Sequence, residues 1–420
     1  MNGVNPPNTS NIIHINLSIN DLHLRNEFKT NYDNLVTNKN SPLILNTSWF
    51  RLSLVKEIMN MKKLNVALAI LGAAVMAGNA QTVNSEVVGY VKQTFPAGSD
   101  TFFVPQLLRP VEFTGAVSSV SVSGGNATLV IPSATFSANS FQYVAVTQPK
   151  TYFASVTAGN LTGTGFLVVS NETGSITVAL DGLTVTSADI TAIEVRPLWT
   201  LNTLFPSSDA NVTFTPSTGV NAATRRTQLV MPNFTGTGIN RAASAVYFYN
   251  PAVSDWVATT ATGTKAGDTP LVPSQYLIHR NTGGTPVDLN ATVVGSVFSK
   301  PGSMYLGTLS NGANDNPVGL PRPTDYLLSE YGFTDSNFVQ STGLNAATRR
   351  DTVLVYSTTG SGINRATSKV YFKYLNTWRD TTLTATAVDP VIPAGSAVIV
   401  RKYQSDGNDK VVVNTLNTSL

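Results

Sequence analysis

Residues 217–249 read STGVNAATRRTQLVMPNFTGTGINRAASAVYFY, and residues 341–373 read STGLNAATRRDTVLVYSTTGSGINRATSKVYFK. Set side by side without gaps, 20 of the 33 positions are identical, so the chain contains a duplication. The duplicated text is β in character. In Val246-Tyr247-Phe248-Tyr249 and Val370-Tyr371-Phe372-Lys373, period-two alternation puts Val and Phe on one face of a strand and Tyr or Lys on the other. The Tyr/Lys face accepts a charge, which assigns the Val/Phe face to the core. Residues 226–231 and 350–356 form the preceding strand. The links Thr235-Gly236-Thr237-Gly238 and Thr359-Gly360-Ser361-Gly362 supply the positive φ that the intervening turn needs. Helix-like stretches are short, around 201–204 and 325–331.

The similarity extends outward from this block. Arg196-Pro197 precedes the first copy and Arg322-Pro323 the second. Downstream, Trp256 answers to Trp378, and the strand around Tyr276-Leu277-Ile278 to Val398-Ile399-Val400. Residues 287–290 resemble 411–414. Each unit is ~100 residues, a usual single-domain size. Residues 84–195 differ: short apolar runs recur every 8–12 residues, separated by turn signals such as Ser123-Gly124-Gly125-Asn126, which predicts a β-sandwich or small barrel. Pro96-Ala97-Gly98-Ser99 echoes Pro393-Ala394-Gly395-Ser396.

The opening of the chain is of another kind. Met61-Lys62-Lys63, the apolar run 66–76 and Gly78-Asn79-Ala80 give a charged n-region, a short h-region and a small-x-small cleavage site. Cleavage is expected between Ala80 and Gln81. The h-region is shorter than the ~20 residues of a membrane span. Residues 1–60 hold 13 Asn, one Gly and no Ala, the composition of translated AT-rich intergenic DNA, so translation is expected to begin at Met61. Removing residues 1–80 takes away seven of the 27 basic and four of the 24 acidic residues and leaves 20 of each. A chain with net charge near zero lacks an electrostatic basis for holding nucleic acid.

The expected organisation is therefore 1–60 as mis-assigned upstream translation, 61–80 as signal peptide, 84–195 as an N-terminal β-sandwich or small barrel, and 196–300 as the first β-sandwich-like repeat. Residues 301–321 are read as a connecting segment and 322–420 as the second homologous repeat. The fold class is all-β. The order of a signal peptide, VVGYV, PAGSDTFFVP, RPVEFTG and RPLWTLNTLFP, then two units with Gly-Ile-Asn-Arg turns and Tyr-Phe strands, resembles a family of secreted bacterial β-rich proteins with two tandem C-terminal repeats. The resemblance covers residues 84–403 and implies export. It brings no catalytic residue or cofactor with it.

Chemistry is sparse in this text. The chain has no Cys and three His, of which only His279 follows the expected cleavage site, and aligning Arg280 with Arg401 places Val400 opposite it. A position that accepts Val in the sister unit is a strand residue rather than a general base. Nucleotide-binding, zinc-protease and EF-hand patterns are absent. Asp406-Gly407-Asn408-Asp409 reads as a solvated turn. No catalytic residue, metal or cofactor is expected.

The candidate ligand-binding residues are aromatic: Tyr247, Tyr249 and Trp256 in the first unit, with Tyr371, Tyr374 and Trp378 in the second. Flat rings with a polar handle stack on sugars, although core filling by both tryptophans is the favoured reading. Arg241 and Arg365 of the Gly-Ile-Asn-Arg turns, with Arg225-Arg226 and Arg349-Arg350, recur identically. They are expected to tie turns down through carbonyls or carboxylates, with acidic glycans as the other use. The expected protein is exported to the envelope, periplasm or exterior and is non-enzymatic, with a structural or adhesive role. Its expected partners are surface glycans or its own copies. A carbohydrate-binding array and an outer-membrane barrel are the alternatives.

Overall fold

Alternating apolar strands separated by Gly, Asn and Pro turns fold here into antiparallel sheets throughout. The computed structural model describes residues 86–298, 302–319, 321–404 and 410–416, within the unit 85–420. The expected upstream segment, the signal peptide with Ala80 and Gln81, and the turn 406–409 lie outside the described residues. Among the described residues, no helix is long and apolar enough to cross a membrane.

The first repeat is built on a six-stranded sheet. Its order is Ala261–Lys265, Asp255–Ala258, Ala245–Asn250, Thr227–Met231, Leu277–Asn281 and Ser99–Phe103. The ladder of Val88–Phe95 with Leu289–Ser296 belongs to the same unit, and Trp199–Thr200 pairs Pro270–Leu271. The second repeat has the same arrangement. Leu383–Val388, Thr377–Asp380, Lys369–Tyr374, Thr352–Tyr356, Ala397–Lys402 and Asn314–Gly319 form its six-stranded sheet. Gly302–Thr308 pairs Lys410–Leu416, and Tyr326–Leu327 pairs Val391–Ile392.

Sheet membership therefore cuts across the segments expected from sequence. Val88–Phe95 and Ser99–Phe103, which fall in the segment 84–195, complete the first repeat through their ladders with Leu289–Ser296 and Leu277–Asn281. Residues 302–308 and 314–319, in the expected connecting segment, are the matching strands of the second repeat. The echo of 96–99 in 393–396 joins two turns at different places in the topology: the first links Val88–Phe95 to Ser99–Phe103, the second Val391–Ile392 to Ala397–Lys402.

What remains between Arg109-Pro110 and Arg196-Pro197 is an inserted domain. Its seven-stranded sheet runs Phe113–Ala116, Ala192–Pro197, Tyr152–Ala158, Gly165–Glu172, Ser175–Ala179, Asn126–Val130, Ser119–Ser123. The two edge strands follow one another with only Val117 and Ser118 between them, so the sheet curls around its core of Leu129, Ile131, Phe166, Ile176 and Ile193. In the second repeat the single Arg322-Pro323 spans the same join. Arg196 anchors the return crossing: it is almost wholly buried, donates to the Arg109 carbonyl at 2.9 Å and pairs with Glu194 and Glu86. The insert also touches the second repeat, where Ser303 N–H donates to the Gly163 carbonyl at 3.0 Å.

The strand faces are the reverse of the expected ones. Tyr249 and Trp256 lie in the first core with Leu229, Met231, Phe205 and Phe214, and Tyr371 and Trp378 lie in the second with Val353, Val400 and Phe338. Phe248 and Phe372 point to the opposite face and are also fully buried. The STG-x-NAATRR loop covers them: Arg225 sits 4.9 Å above the Phe248 ring and Arg349 5.0 Å above Phe372. Ser217 Oγ accepts from Arg226 N–H at 3.2 Å and Ser341 Oγ from Arg350 N–H at 3.1 Å, closing the loop alike in both copies. With both faces covered, alternation alone does not say which one is the core. Lys373 is accommodated on the core side by running past Trp378 and donating to the Phe333 carbonyl at 2.8 Å.

A pair of core positions differs in charge between the twins. Thr227 Oγ1 accepts from Thr215 N–H at 2.8 Å, and Asn281 bridges the carbonyls of Phe95 and Val287. The counterparts are Asp351 and Lys402, a buried ion pair in which Asp351 also accepts from Val339 N–H at 2.7 Å. Asp351→Asn leaves the Lys402 ammonium buried without a countercharge. Urea unfolding is expected to show a loss of about 3–5 kcal/mol. Asp351→Thr combined with Lys402→Asn installs the first repeat's pair and is expected to recover most of it. No recovery would show that the two sites are not interchangeable.

Candidate functional site

The recurring turns Gly238-Ile239-Asn240-Arg241 and Gly362-Ile363-Asn364-Arg365 do not end at their own domain surfaces. Each reaches into the other repeat. Gly238 and Gly362 have φ of 90° and 100°, and Asn240 and Asn364 have φ of 51° and 52°. Glycine takes this left-handed region freely and asparagine tolerates it, which fixes the Gly-x-Asn spelling of the turn.

The turn of the second repeat docks on Asp100. Asn364 N–H donates to Asp100 Oδ2 at 2.8 Å, Asp100 N–H donates to the Gly362 carbonyl at 2.9 Å, and Gly362 N–H donates to Ser99 Oγ at 2.9 Å. Arg365 Nη1 donates to the Asp100 carbonyl at 3.1 Å. Arg280 completes the site with a two-pronged grip on Asp100, 2.7 Å to Oδ1 and 2.8 Å to Oδ2, while its Nη2 also holds Asn364 Oδ1 at 2.7 Å.

The turn of the first repeat repeats this on Asp315. Asn240 N–H donates to Asp315 Oδ2 at 2.8 Å, Asp315 N–H to the Gly238 carbonyl at 3.0 Å, and Gly238 N–H to Asn314 Oδ1 at 2.8 Å. Arg241 donates to the Asp315 carbonyl. Arg401 grips Asp315 at 2.7 and 3.1 Å and reaches Asn240 Oδ1 at 3.2 Å. The two sites form a reciprocal clasp. Both carboxylates are nearly fully buried, with side-chain exposures of 3% and 4%. Paired guanidinium–carboxylate hydrogen bonds of this kind are strong because both partners are ionised. The hydrogen bond to Asp100 raises the pKa of Arg280 above the usual arginine range, and Asp315 does the same to Arg401.

Arg241 and Arg365 thus tie turns to backbone carbonyls, each to one of the opposite repeat, and Arg365 also to the Thr359 carbonyl of its own at 2.7 Å. The aromatic candidates do not form platforms. Trp256 is fully buried against Phe205, Phe214 and Tyr249, and its indole N–H donates to the Phe205 carbonyl at 3.2 Å. Trp378 packs edge-on against Phe333 and Phe338. Tyr249 and Tyr371 are buried, and Tyr247 and Tyr374 half-buried. Truncating either tryptophan to Ala would cost about 3–5 kcal/mol of stability, so such variants report on folding before they report on sugar binding. A shallow groove that offers almost no enclosed space lies where the insert joins the first repeat, lined in part by Arg109, Trp199, Leu271 and Pro273. There the Trp199 N–H is engaged by the Leu107 carbonyl at 2.7 Å. Among the described residues, no group of three metal-ligating side chains comes together.

Asp100 and Asp315 were not among the sequence candidates. They lie in segments with little common text, SDTFFVP and NDNPVG. The available signal was the recurring Arg280 and Arg401 at the ends of matching strands, each in need of a carboxylate.

His279 is sealed inside the first core, stacked on Phe95 at 3.8 Å, with Nε2 donating to the Thr213 carbonyl at 3.0 Å. Burial pushes its pKa down to about 4. The chain was compared with protein-family models, with curated proteins and with solved structures, and none of the three gave a match.

Two outcomes follow from this geometry. Asp100→Ala and Asp315→Ala each strand a guanidinium at the interface and are expected to lower stability by about 2–5 kcal/mol, by similar amounts because the sites are equivalent. A neutral effect of either in chemical denaturation would contradict the clasp. The unfolded chain binds a proton at His279 below its ordinary pKa, and the folded one only near pH 4. Stability contributed by the neutral ring is therefore complete above about pH 6.5 and lost as pH falls toward 4. His279→Val, which copies Val400, is expected to flatten that part of the stability–pH curve; an unchanged slope would refute the assignment.

Proposed function

We propose that this chain is an exported, non-enzymatic scaffold of the cell envelope or exterior, in which the twin repeats act as one rigid platform and the inserted domain makes the outward contact. The observation that carries the reading is the use of the recurring polar residues. Gly-Ile-Asn-Arg, Arg280/Arg401 and Asp100/Asp315 are spent on holding the repeats to each other. The element without a twin is the insert, and an element present once is where a specific role is placed.

The insert also carries exposed apolar side chains at its loops and edges. Tyr143, Val144 and Val146 are exposed on one short loop, and Val146, at 90% exposure, has φ of 75°. A β-branched residue at positive φ is costly, and an apolar one held there in the open is suited to meeting a surface. The carbohydrate-array alternative loses its support with the tryptophans in the cores. The membrane-barrel alternative is disfavoured, among the described residues, by the separate sheets and by strands of at most eight residues, where barrels use about 9–11.

Fractionation of the source cells followed by mass spectrometry tests the location: peptides from 81–420 are expected in the envelope or medium and none from 1–60. Recovery in the cytosol would overturn the reading. For the role, a variant in which a direct Arg-Pro join replaces the insert is expected to keep the platform folded and to lose retention on cells. Equal retention of both forms would move the contact surface to the repeats.

A further inference from the structure

Thr227 and Asn281 face each other across the ladder of the first repeat. Asp351 and Lys402 stand at the matching place in the second, one step beyond the Thr352–Arg401 pair. The two places share a backbone donor: Thr215 N–H serves Thr227 as Val339 N–H serves Asp351. What the second repeat adds is a nucleophile and an electrophile, an amine and a carboxyl, where the first has a hydroxyl and an amide.

The added pair is arranged for more than attraction. Both side chains are dry, at 2% and 0% exposure. Lys402 Nζ touches Asp351 Oδ2, and Cγ stands one C–O bond beyond, within the roughly 3–3.5 Å at which reacting atoms are poised. Nζ is also held by the Asn337 carbonyl at 2.6 Å and lies 5.5 Å from the centre of the Phe338 ring. Each carboxyl oxygen has a backbone donor, Val339 N–H on Oδ2 at 2.7 Å and Tyr403 N–H on Oδ1 at 2.5 Å. Donors so placed stabilise the negative charge that develops when a carboxyl carbon is attacked. Burial pushes the Asp351 carboxyl up despite its hydrogen bonds, toward the acid form that an amine can attack. A lysine kept out of water is one of the ways in which an amine becomes a nucleophile.

We propose that Lys402 and Asp351 condense into an amide, a covalent bond between the side chains of two neighbouring strands. Within the pair, one proton passes from Nζ to Oδ2 and leaves an amine beside a carboxylic acid. The nitrogen lone pair adds to Cγ while Tyr403 N–H holds the charge on Oδ1. A second proton moves from nitrogen to Oδ2, the Cγ–Oδ2 bond breaks, and Oδ2 departs as water. One C–N bond forms and one C–O bond is lost, with nothing oxidised or reduced. Oδ1 becomes the amide oxygen and keeps its Tyr403 donor, and the remaining N–H keeps the Asn337 carbonyl. The buried ion pair is the reactant of this step. The bond closes a loop of roughly fifty residues that contains the clasp turn Gly362-Ile363-Asn364-Arg365. In a chain without cysteine it supplies the covalent tie that a disulfide gives elsewhere. It goes beyond the scaffold reading and does not depend on it.

Tandem mass spectrometry of the full-length chain, unfolded and then digested with trypsin, tests this. The expected product in most molecules is one branched species joining residues 351–365 to 402–410, lighter than the two peptides together by one water. Both peptides free at full mass would overturn the proposal. So would water lost from 351–365 alone, the mark of a ring closed between Asp351 and its own backbone. Lys402→Arg keeps the charge but not the nucleophile, and is expected to keep the β circular dichroism while lowering the branched species about a hundredfold or more. Asp351→Thr with Lys402→Asn is a second control and is expected to give none. A branched species in equal yield from either control would place the bond at other residues and contradict the assignment. The unsubstituted chain decides the matter by itself should a control fail to fold.

Discussion

Two carboxylates, Asp100 and Asp315, sit almost dry between the repeats, and each is met by a guanidinium from its own repeat and a turn amide from the other. A carboxylate in that position is tolerable only with its hydrogen bonds and its countercharge in place. Separating the repeats would exchange these charge-assisted hydrogen bonds for water and uncover the apolar cluster between them. The geometry therefore makes one body of two domains, with the cluster around Phe102, Tyr276 and Tyr356 supplying area and the clasp supplying orientation. Position within the pair is then a matter of shape, since the charged contacts are alike on both sides.

Repeat equivalence also explains how an insert of some eighty-five residues is carried without disturbing the platform. In the second repeat, Asn314–Gly319 leads through Arg322-Pro323 directly to Tyr326–Leu327. In the first, the same step from Ser99–Phe103 to Trp199–Thr200 is opened to admit the seven-stranded domain, and an Arg-Pro stands on each side of the opening. Arg322 is nearly buried and pairs with Glu330 at 3.7 Å, whereas Arg196 has become the bolt between insert and platform. Two chain crossings that near one another restrain the insert far more than a single linker would.

How much of this was legible depends on what each residue has to do. The all-β class and the duplication were readable because the turns and arginines tolerate few substitutes: Gly at positive φ, Asn beside it, and Arg over Phe248 or Phe372. The first two strands of each repeat were not readable, because Val88–Phe95 and Gly302–Thr308 need only alternate inward and outward and have no other common requirement. Asp100 and Asp315 preserve a single letter in unlike surroundings. The inverted strand faces have a different cause: a loop that buries the outer side makes both faces apolar, and Lys373 escapes along the edge of a tryptophan in a way alternation does not record.

Amide hydrogen exchange at the clasp measures the reciprocal joint most directly. The backbone N–H groups of Asp100, Asn364 and Gly362 at one site, and of Asp315, Asn240 and Gly238 at the other, all donate within the clasp. They are expected to exchange as slowly as the central strands in the intact chain, and Asp315→Ala is expected to speed both groups together, since opening one site frees the other. Exchange of the four turn amides at the rate of exposed loops, or acceleration confined to the Asp315 site, would contradict it.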